Sequence, residues 1–123
     1  MTLVWVALGG ALGAVLRFLS VTAAARAFGP GFPWGTAFVN IAGSFAMGLV
    51  AVLLIERAGD ERLAAFLMPG LLGGFTTFSA FSLDAFRLIE TGRMAAATGY
   101  MAGSVALALA GLIAGALVGR ALA

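Results

Sequence analysis

Four long apolar runs, separated by short polar breaks, constrain this chain more than any other feature. They cover about residues 3–28, 34–55, 63–89 and 94–118. A helix needs about 20 residues to cross a hydrocarbon core of about 30 Å, and each run is longer than this. A membrane barrel would instead show segments of about ten residues that alternate in polarity. The pattern predicts an all-α membrane protein, a single transmembrane domain over residues 1–123 with four transmembrane helices.

The composition argues against most catalytic chemistry. Hydrophobic residues make up 63% of the chain and charged residues 10%, and the sequence has no His and no Cys. It therefore lacks an imidazole base, a thiol nucleophile and most transition-metal ligands. The net charge of +2 comes from arginines that are scattered singly, so there is no basic patch for nucleic acid. The composition favours neither an enzyme nor a nucleic-acid partner, and indicates a lipid bilayer as the surroundings.

The third run contains a segment, Gly70–Ser82, that is rich in glycine, hydroxyl groups and phenylalanine. Neither lipid contact nor plain helix packing requires this composition. A helix that is interrupted by Gly-Gly and Thr-Thr at bilayer depth exposes backbone carbonyls and amides, which protein, ion or water must satisfy. The sequence therefore predicts that helix 3 is broken near mid-membrane and that a polar ligand binds there.

Phenylalanines recur every third residue in this segment, at Phe75, Phe78 and Phe81. An aromatic stripe at this spacing usually belongs to a core. Here the residues between the rings, such as Thr77 and Ser79, are small and polar, which does not suit a simple core stripe. Because an aromatic ring has a positive edge, ring edges and hydroxyl donors could coordinate a small anion weakly enough for it to leave again.

Other polar residues within the predicted spans have two interpretations each. Arg17 could snorkel or pair with Asp84, or it could draw anions to a pore mouth. Asn40 could bond to another helix, although an amide donor at a pore mouth is the preferred interpretation. Tyr100 and Ser104 are four residues apart and share a helix face, where hydroxyls either support packing or donate to a passing anion.

Glycines at four-residue spacing allow close helix contacts, either within one subunit or between subunits. The spaced glycines are Gly9, Gly13, Gly99, Gly103, Gly111, Gly115 and Gly119. Taken together they favour an oligomer, because a four-helix protein of this size has little interior of its own.

The arginines in the loops and near the ends of the predicted spans divide equally between the two sides of the membrane. One side would carry Arg57, Arg62 and Arg120, and the other Arg26, Arg87 and Arg93. The positive-inside bias then favours neither orientation, which makes an antiparallel, dual-topology homodimer a natural architecture. The alternative is that Arg17 or an external factor decides the topology.

Three motifs, Gly10–Phe18, Gly35–Gly43 and Gly73–Ser82, resemble in order the pattern of the Fluc (CrcB) family of small fluoride channels. The resemblance covers essentially the whole chain. It implies a fluoride-selective passive ion channel of the bacterial inner membrane, which exports fluoride to prevent toxicity. It also implies an antiparallel homodimer with two antiparallel pores.

The resemblance further implies roles for single residues. Asn40 would be the pore-mouth asparagine, and Phe78 with Phe81 the paired pore phenylalanines. A structural sodium ion at the dimer centre would be held by backbone carbonyls of Gly73 and Thr76, which suits a hard cation.

Tyr100 and Ser104 would begin the polar track of helix 4, and Thr77 and Ser79 would add hydroxyls to the fluoride path. The next positions along helix 4 are Ala108 and Leu112, which carry no hydroxyl. The track is therefore expected to be shorter, or hydroxyls of helix 3 such as Ser79 and Ser82 replace it.

The main alternative is a small dual-topology, proton-coupled multidrug exporter. Such a transporter needs an intramembrane carboxylate, and Asp84 is the only acid within any predicted span. A purely structural subunit would explain the glycines but not the phenylalanine and hydroxyl segment.

Overall fold

The computed structural model describes residues 1–55 and 59–123. Within these residues, four helical segments are long and apolar enough to cross a membrane: Thr2–Phe28, Trp34–Ile55, Glu61–Glu90 and Met94–Leu122. The prediction of an all-α protein with four such segments is confirmed, and the chain is a multi-pass membrane protein. Arg57, one of the six arginines in the predicted charge balance, lies outside the described residues.

The first two segments and the last are each a single helix, whereas the third contains several elements. Helix α1 spans Thr2–Phe28 and α2 spans Trp34–Ile55. The third segment consists of α3 at Glu61–Ala65, a π-helical segment at Phe66–Leu72, α4 at Gly73–Phe75 and α5 at Phe78–Glu90. Helix α6 spans Met94–Leu122.

Local chemistry explains several of these boundaries. Gly29 ends α1 with a φ of 80° and donates its N–H to the Ala25 carbonyl, a backbone conformation that glycine adopts without strain. The Asp60 side chain caps α3 by accepting a hydrogen bond from the Arg62 amide at 2.8 Å. Pro69 lies within the π-helical segment, where its missing N–H prevents the regular α-helical bond.

Glycines bring the helices together in two pairs. Helix α1 lies against the π-helical segment and α4, and α2 lies against α6. A Cβ atom on Gly13 would collide with the Leu71 carbonyl, and a Cβ atom on Gly48 would collide with the Leu112 carbonyl. These glycines therefore serve packing within the subunit. Gly99 and Gly103 on α6, in contrast, have open space where a Cβ atom would lie.

One core cluster lies where α5 meets α6. It is built from Phe81, Ala85, Leu88, Ala97 and Tyr100, all buried. Many large apolar side chains along α1 and α6 are exposed instead. This distribution suits a protein whose outer surface faces lipid, which is as apolar as those side chains. The core therefore holds α5, and with it the interrupted segment, against the start of α6.

Candidate functional site

The candidate site is organised around an interruption between α4 and α5. Thr76 (φ −87°, ψ 156°) and Thr77 (φ −152°, ψ 121°) are extended, although both neighbouring elements are helical. Carbonyls at the end of α4 and amides at the start of α5 therefore lose their usual helical partners. The Arg17 side chain supplies one replacement by donating from Nε to the Gly74 carbonyl at 3.1 Å.

Asn40 on α2 satisfies both backbone groups of Thr77. Its Nδ2 donates to the Thr77 carbonyl at 3.0 Å, and its Oδ1 accepts from the Thr77 amide at 2.7 Å. The second N–H of the Asn40 amide is not used by this pair, since a primary amide has two donors. Asn40 thus holds the extended segment against α2 and still has one donor available.

Hydroxyl groups at the interruption make local bonds. Thr76 donates from its hydroxyl to the Leu72 carbonyl at 2.9 Å. The Thr77 hydroxyl accepts from the Ala80 amide at 3.1 Å and so caps α5. The Ser79 hydroxyl lies 3.3 Å from that of Thr77. The Thr77 hydroxyl caps only the Ala80 amide, so the Phe78 and Ser79 amides at the start of α5 have no side-chain acceptor among the described residues. Such unpaired amides at a helix N-terminus attract negative charge.

A groove of about 220 Å³ lies beside the interruption and collects most of the predicted residues. It is lined by Asn40, Ser44, Thr76, Thr77, Phe78, Phe81, Ser104, Val105 and Ala108. The Phe78 ring is 76% exposed, the Phe81 ring is 9% exposed, and their centroids are 5.5 Å apart. None of these lining residues, all within the described part of the chain, is ionisable. Amide, hydroxyl and aromatic groups therefore determine what this groove can bind.

Tyr100 lies just outside the groove and is 2% exposed. Its ring contacts those of Phe81 at 5.2 Å and Phe32 at 5.5 Å. Its hydroxyl donates to Asp84 Oδ2 at 3.2 Å. Tyr100 therefore packs against the Phe81 ring and donates a hydrogen bond to an acid, whereas Ser104, one turn later on α6, lines the groove itself.

Three other predicted residues lie outside the groove. Arg17 bonds to Gly74 rather than to Asp84, whose carboxylate accepts from Tyr100. Ser79 and Gly73 are exposed near the interruption. The structure thus assigns Arg17 a contact that the sequence did not suggest, because nothing in the spacing shows which carbonyl a helix break exposes to α1.

Ser44 and Phe32 are two contributors that the sequence analysis did not single out. Ser44 follows Asn40 by four residues on α2, so the helical repeat could have placed it on the same face. Phe32 lies in the loop between α1 and α2, and its contact with Tyr100 depends on the tertiary fold. No local pattern could have identified it.

A family model, described as CrcB-like protein, Camphor Resistance (CrcB), matches residues 4–116. The chain belongs to the CrcB family. Relatives named fluoride-specific ion channel FluC are also similar to it along nearly their whole length. The one from Paracoccus denitrificans is 57% identical over 121 residues, which is 98% of this chain and 96% of the relative. The one from Cereibacter sphaeroides is 55% identical over 114 residues, or 93% and 90% of the two chains.

The groove of this CrcB protein is lined by amide, hydroxyl and aromatic groups and, among the described residues, by no charged side chain. Hydroxyl donors, an amide N–H and aromatic ring edges each attract an anion partially, without the full positive charge that would hold it tightly. A third relative of that name, from a Chelativorans species, is 50% identical over 121 residues, covering 98% of this chain and 97% of the relative.

Proposed function

We propose that this protein is a fluoride-selective passive ion channel that exports fluoride and so prevents fluoride toxicity. The observation that carries the proposal is the groove beside the interruption, where Asn40, Phe81 and Ser104 meet in a lining without charge. The name of the CrcB relatives, fluoride-specific ion channel, supports the choice of anion. The proposed location is the bacterial inner membrane.

Passage through the groove requires that the anion exchange its water for protein donors. The free N–H of Asn40 and the hydroxyls of Ser44 and Ser104 are donors of this kind. Phe78 and Phe81 also line the groove, and a ring edge that faces it would add weak positive potential. Thr77 and Ser79 extend the hydroxyl groups towards the surface. Several weak sites let an anion enter and leave, because none of them holds it strongly.

The proposed assembly is an antiparallel, dual-topology homodimer with two pores. The Phe78 ring is exposed in the single chain, so a second copy is needed to enclose the groove. Gly99 and Gly103 leave open space on the face of α6 near Tyr100, where another helix could approach closely. The interruption at Thr76 and Thr77 lies midway along Glu61–Glu90, which supports the proposal that helix 3 is broken near mid-membrane.

The proposed sodium ion at the dimer centre fits the backbone chemistry of the interruption. Within the described residues, no group of three or more His, Cys, Asp or Glu side chains could hold a metal. Because Thr76 and Thr77 are extended, the carbonyls of Gly73 and Thr76 have no helical amide four residues ahead. Such carbonyls are hard oxygen ligands of the kind that sodium accepts, and two copies of the chain would double their number.

Anion efflux from liposomes that contain the purified protein tests the proposal. Fluoride and chloride release would be followed with ion-selective electrodes, with empty liposomes as the control. Fast fluoride loss with negligible chloride loss is expected. A verified dimer that releases no fluoride would contradict the channel, and export of a cationic dye coupled to protons would then be measured.

A further inference from the structure

A second cavity, of about 370 Å³, lies at one end of the bundle and is separate from the groove. It forms where the loop between α1 and α2 meets the end of α5 and the start of α6. Its ionisable lining residues are Asp84, Arg87 and Arg93. The cavity therefore carries two guanidinium groups and one carboxylate, a different chemistry from the uncharged groove.

Two of the three charged groups have a hydrogen-bond partner among the described residues. Arg93 donates from Nη1 to the Gly31 carbonyl, which ties α6 to the α1–α2 loop. The Asp84 carboxylate already accepts the Tyr100 hydroxyl. The Arg87 guanidinium makes no hydrogen bond to any residue that the structure describes, and Arg93 keeps further N–H donors because a guanidinium has five. The cavity thus has more positive than negative charge and donors that are free to bind.

The depth of the cavity suits the phosphate level of a bilayer. Helix α1 ends at Phe28 and α2 begins at Trp34, while α5 ends at Glu90 and α6 begins at Met94. All four helix ends surround this cavity or lie beside it. The Trp34 ring is 52% exposed and contacts the Phe32 ring at 4.6 Å, and tryptophan is enriched at the membrane interface.

We propose that this cavity binds the phosphate oxyanion of an anionic ligand between Arg87 and Arg93. The planar guanidinium group pairs with two phosphate oxygens at once. Basic pockets at the ends of transmembrane helices bind anionic lipid headgroups, and a free phosphate ion would use the same contacts. The cavity is much larger than a single small anion requires, which leaves room for the glycerol part of a headgroup. This inference does not depend on fluoride conduction.

Native mass spectrometry of the purified full-length protein tests this site. The protein would be incubated with phosphatidylglycerol or with diacylglycerol, which lacks the phosphate. Arg87→Ala removes a guanidinium that has no described protein partner, so the fold is expected to survive. Arg26→Ala is the matched control, because Arg26 lies in the last turn of α1 at the same end but does not line the cavity.

Arg87→Ala is expected to weaken phosphatidylglycerol binding about fivefold, the equivalent of about 1 kcal/mol for one arginine near an anionic surface. Arg87→Lys should restore part of the loss, and Arg26→Ala should cause none. If inorganic phosphate displaces the lipid, free phosphate is also a ligand; if it does not, the headgroup is the source. Equal binding by Arg87→Ala and the unaltered protein, or equal binding of diacylglycerol, would overturn the proposal.

Discussion

The Asn40 side chain bonds to both backbone groups of Thr77 and thereby holds an extended segment between two helices. The same side-chain amide has a second N–H, which these two bonds leave available to the groove. The Phe81 ring lies between two other rings, in contact with Tyr100 on the core side and with Phe78 in the groove. At the scale of single residues, the side chain that supports the interruption is therefore also one that the proposal places in contact with the anion.

Replacement of Phe81 by isoleucine is expected to slow fluoride efflux about two- to tenfold, because an aromatic ring contact is worth about 0.5–1.5 kcal/mol. Liposome efflux would be compared with that of Phe86→Ile, which alters an exposed ring on the same helix. Unchanged flux in Phe81→Ile with an intact dimer would show that this ring does not line the path.

Two substitutions of Asn40 distinguish the effect of a negative charge in the groove from the loss of the hydrogen bonds to Thr77. Asn40→Ala removes both bonds to Thr77 and is expected to lower the stability by about 1–3 kcal/mol. Asn40→Asp can still accept from the Thr77 amide but places a negative charge in the groove, so it should reduce fluoride efflux more strongly than Asn40→Ala. Thermal unfolding and efflux would both be measured. Efflux from Asn40→Asp at the level of the unaltered protein would mean that Asn40 has only a packing role.

The third membrane segment departs from α-helical geometry in two places, the π-helical segment and the interruption at Thr76 and Thr77, and neighbouring helices contact it at both. Helix α1 lies against the π-helical segment through Gly9 and Gly13, and α2 reaches the interruption through Asn40. A small residue on α1 is needed because the backbone of the third segment comes so close. At the scale of elements, the packing of α1 and the position of the interruption are linked.

Gly13→Ala is expected to destabilise the protein by about 1–3 kcal/mol, since overpacking forces the backbone apart. Its Cβ atom would also lie 2.9 Å from the Phe75 amide nitrogen, next to the interruption. Gly10→Ala is the matched control on the same helix, because its nearest neighbour would be the Gly70 carbonyl oxygen at 3.9 Å. Equal melting temperatures for the two variants in detergent would contradict this packing.

The single chain leaves one side of the groove and one face of α6 uncovered. Phe78 is exposed, and Gly99 and Gly103 contact nothing within 4 Å of their added Cβ atoms. At the scale of the whole molecule, these surfaces are where the proposed second copy would complete the pore.

Gly103→Leu is expected to shift the proposed dimer to monomer without disturbing the subunit, because nothing in the described part of the chain lies within 4 Å of an added Cβ atom and a cavity of about 280 Å³ adjoins this position. Light scattering after size exclusion would measure the mass. Thr98→Leu, which introduces the same side chain at an exposed position on another face of α6, should leave the dimer intact. A stable dimer with leucine at position 103 would place the interface elsewhere.

Two arginines added after Arg120 are expected to fix one orientation in the membrane, since the arginine count is otherwise balanced. If the two pores need an antiparallel pair, fluoride export should be lost when this variant is expressed alone. Co-expression with a variant biased in the opposite direction should restore it. Full export from the fixed form alone would contradict the dual topology.

The number and length of the membrane segments follow from the sequence by itself, because crossing a bilayer requires about 20 apolar residues for each helix. The glycine and threonine content of residues 73–77 likewise pointed to an interruption, since these residues weaken a helix locally. Family membership could also be read from the three motifs. All of these are properties of short stretches, and the assignment of pore roles to Asn40, Phe78 and Phe81 stays a prediction.

The tertiary structure decided which groups satisfy the interruption and which residues share the groove. Three hydrogen bonds show this, because each joins residues that are far apart in the chain. Arg17 donates to the Gly74 carbonyl, Asn40 bonds to both backbone groups of Thr77, and Tyr100 donates to Asp84. Helix periodicity gives the face on which a side chain lies but not the neighbour that it meets. The glycines show the same limit: their spacing was visible in the sequence, and only packing distinguished Gly13, which meets backbone, from Gly103, which meets open space.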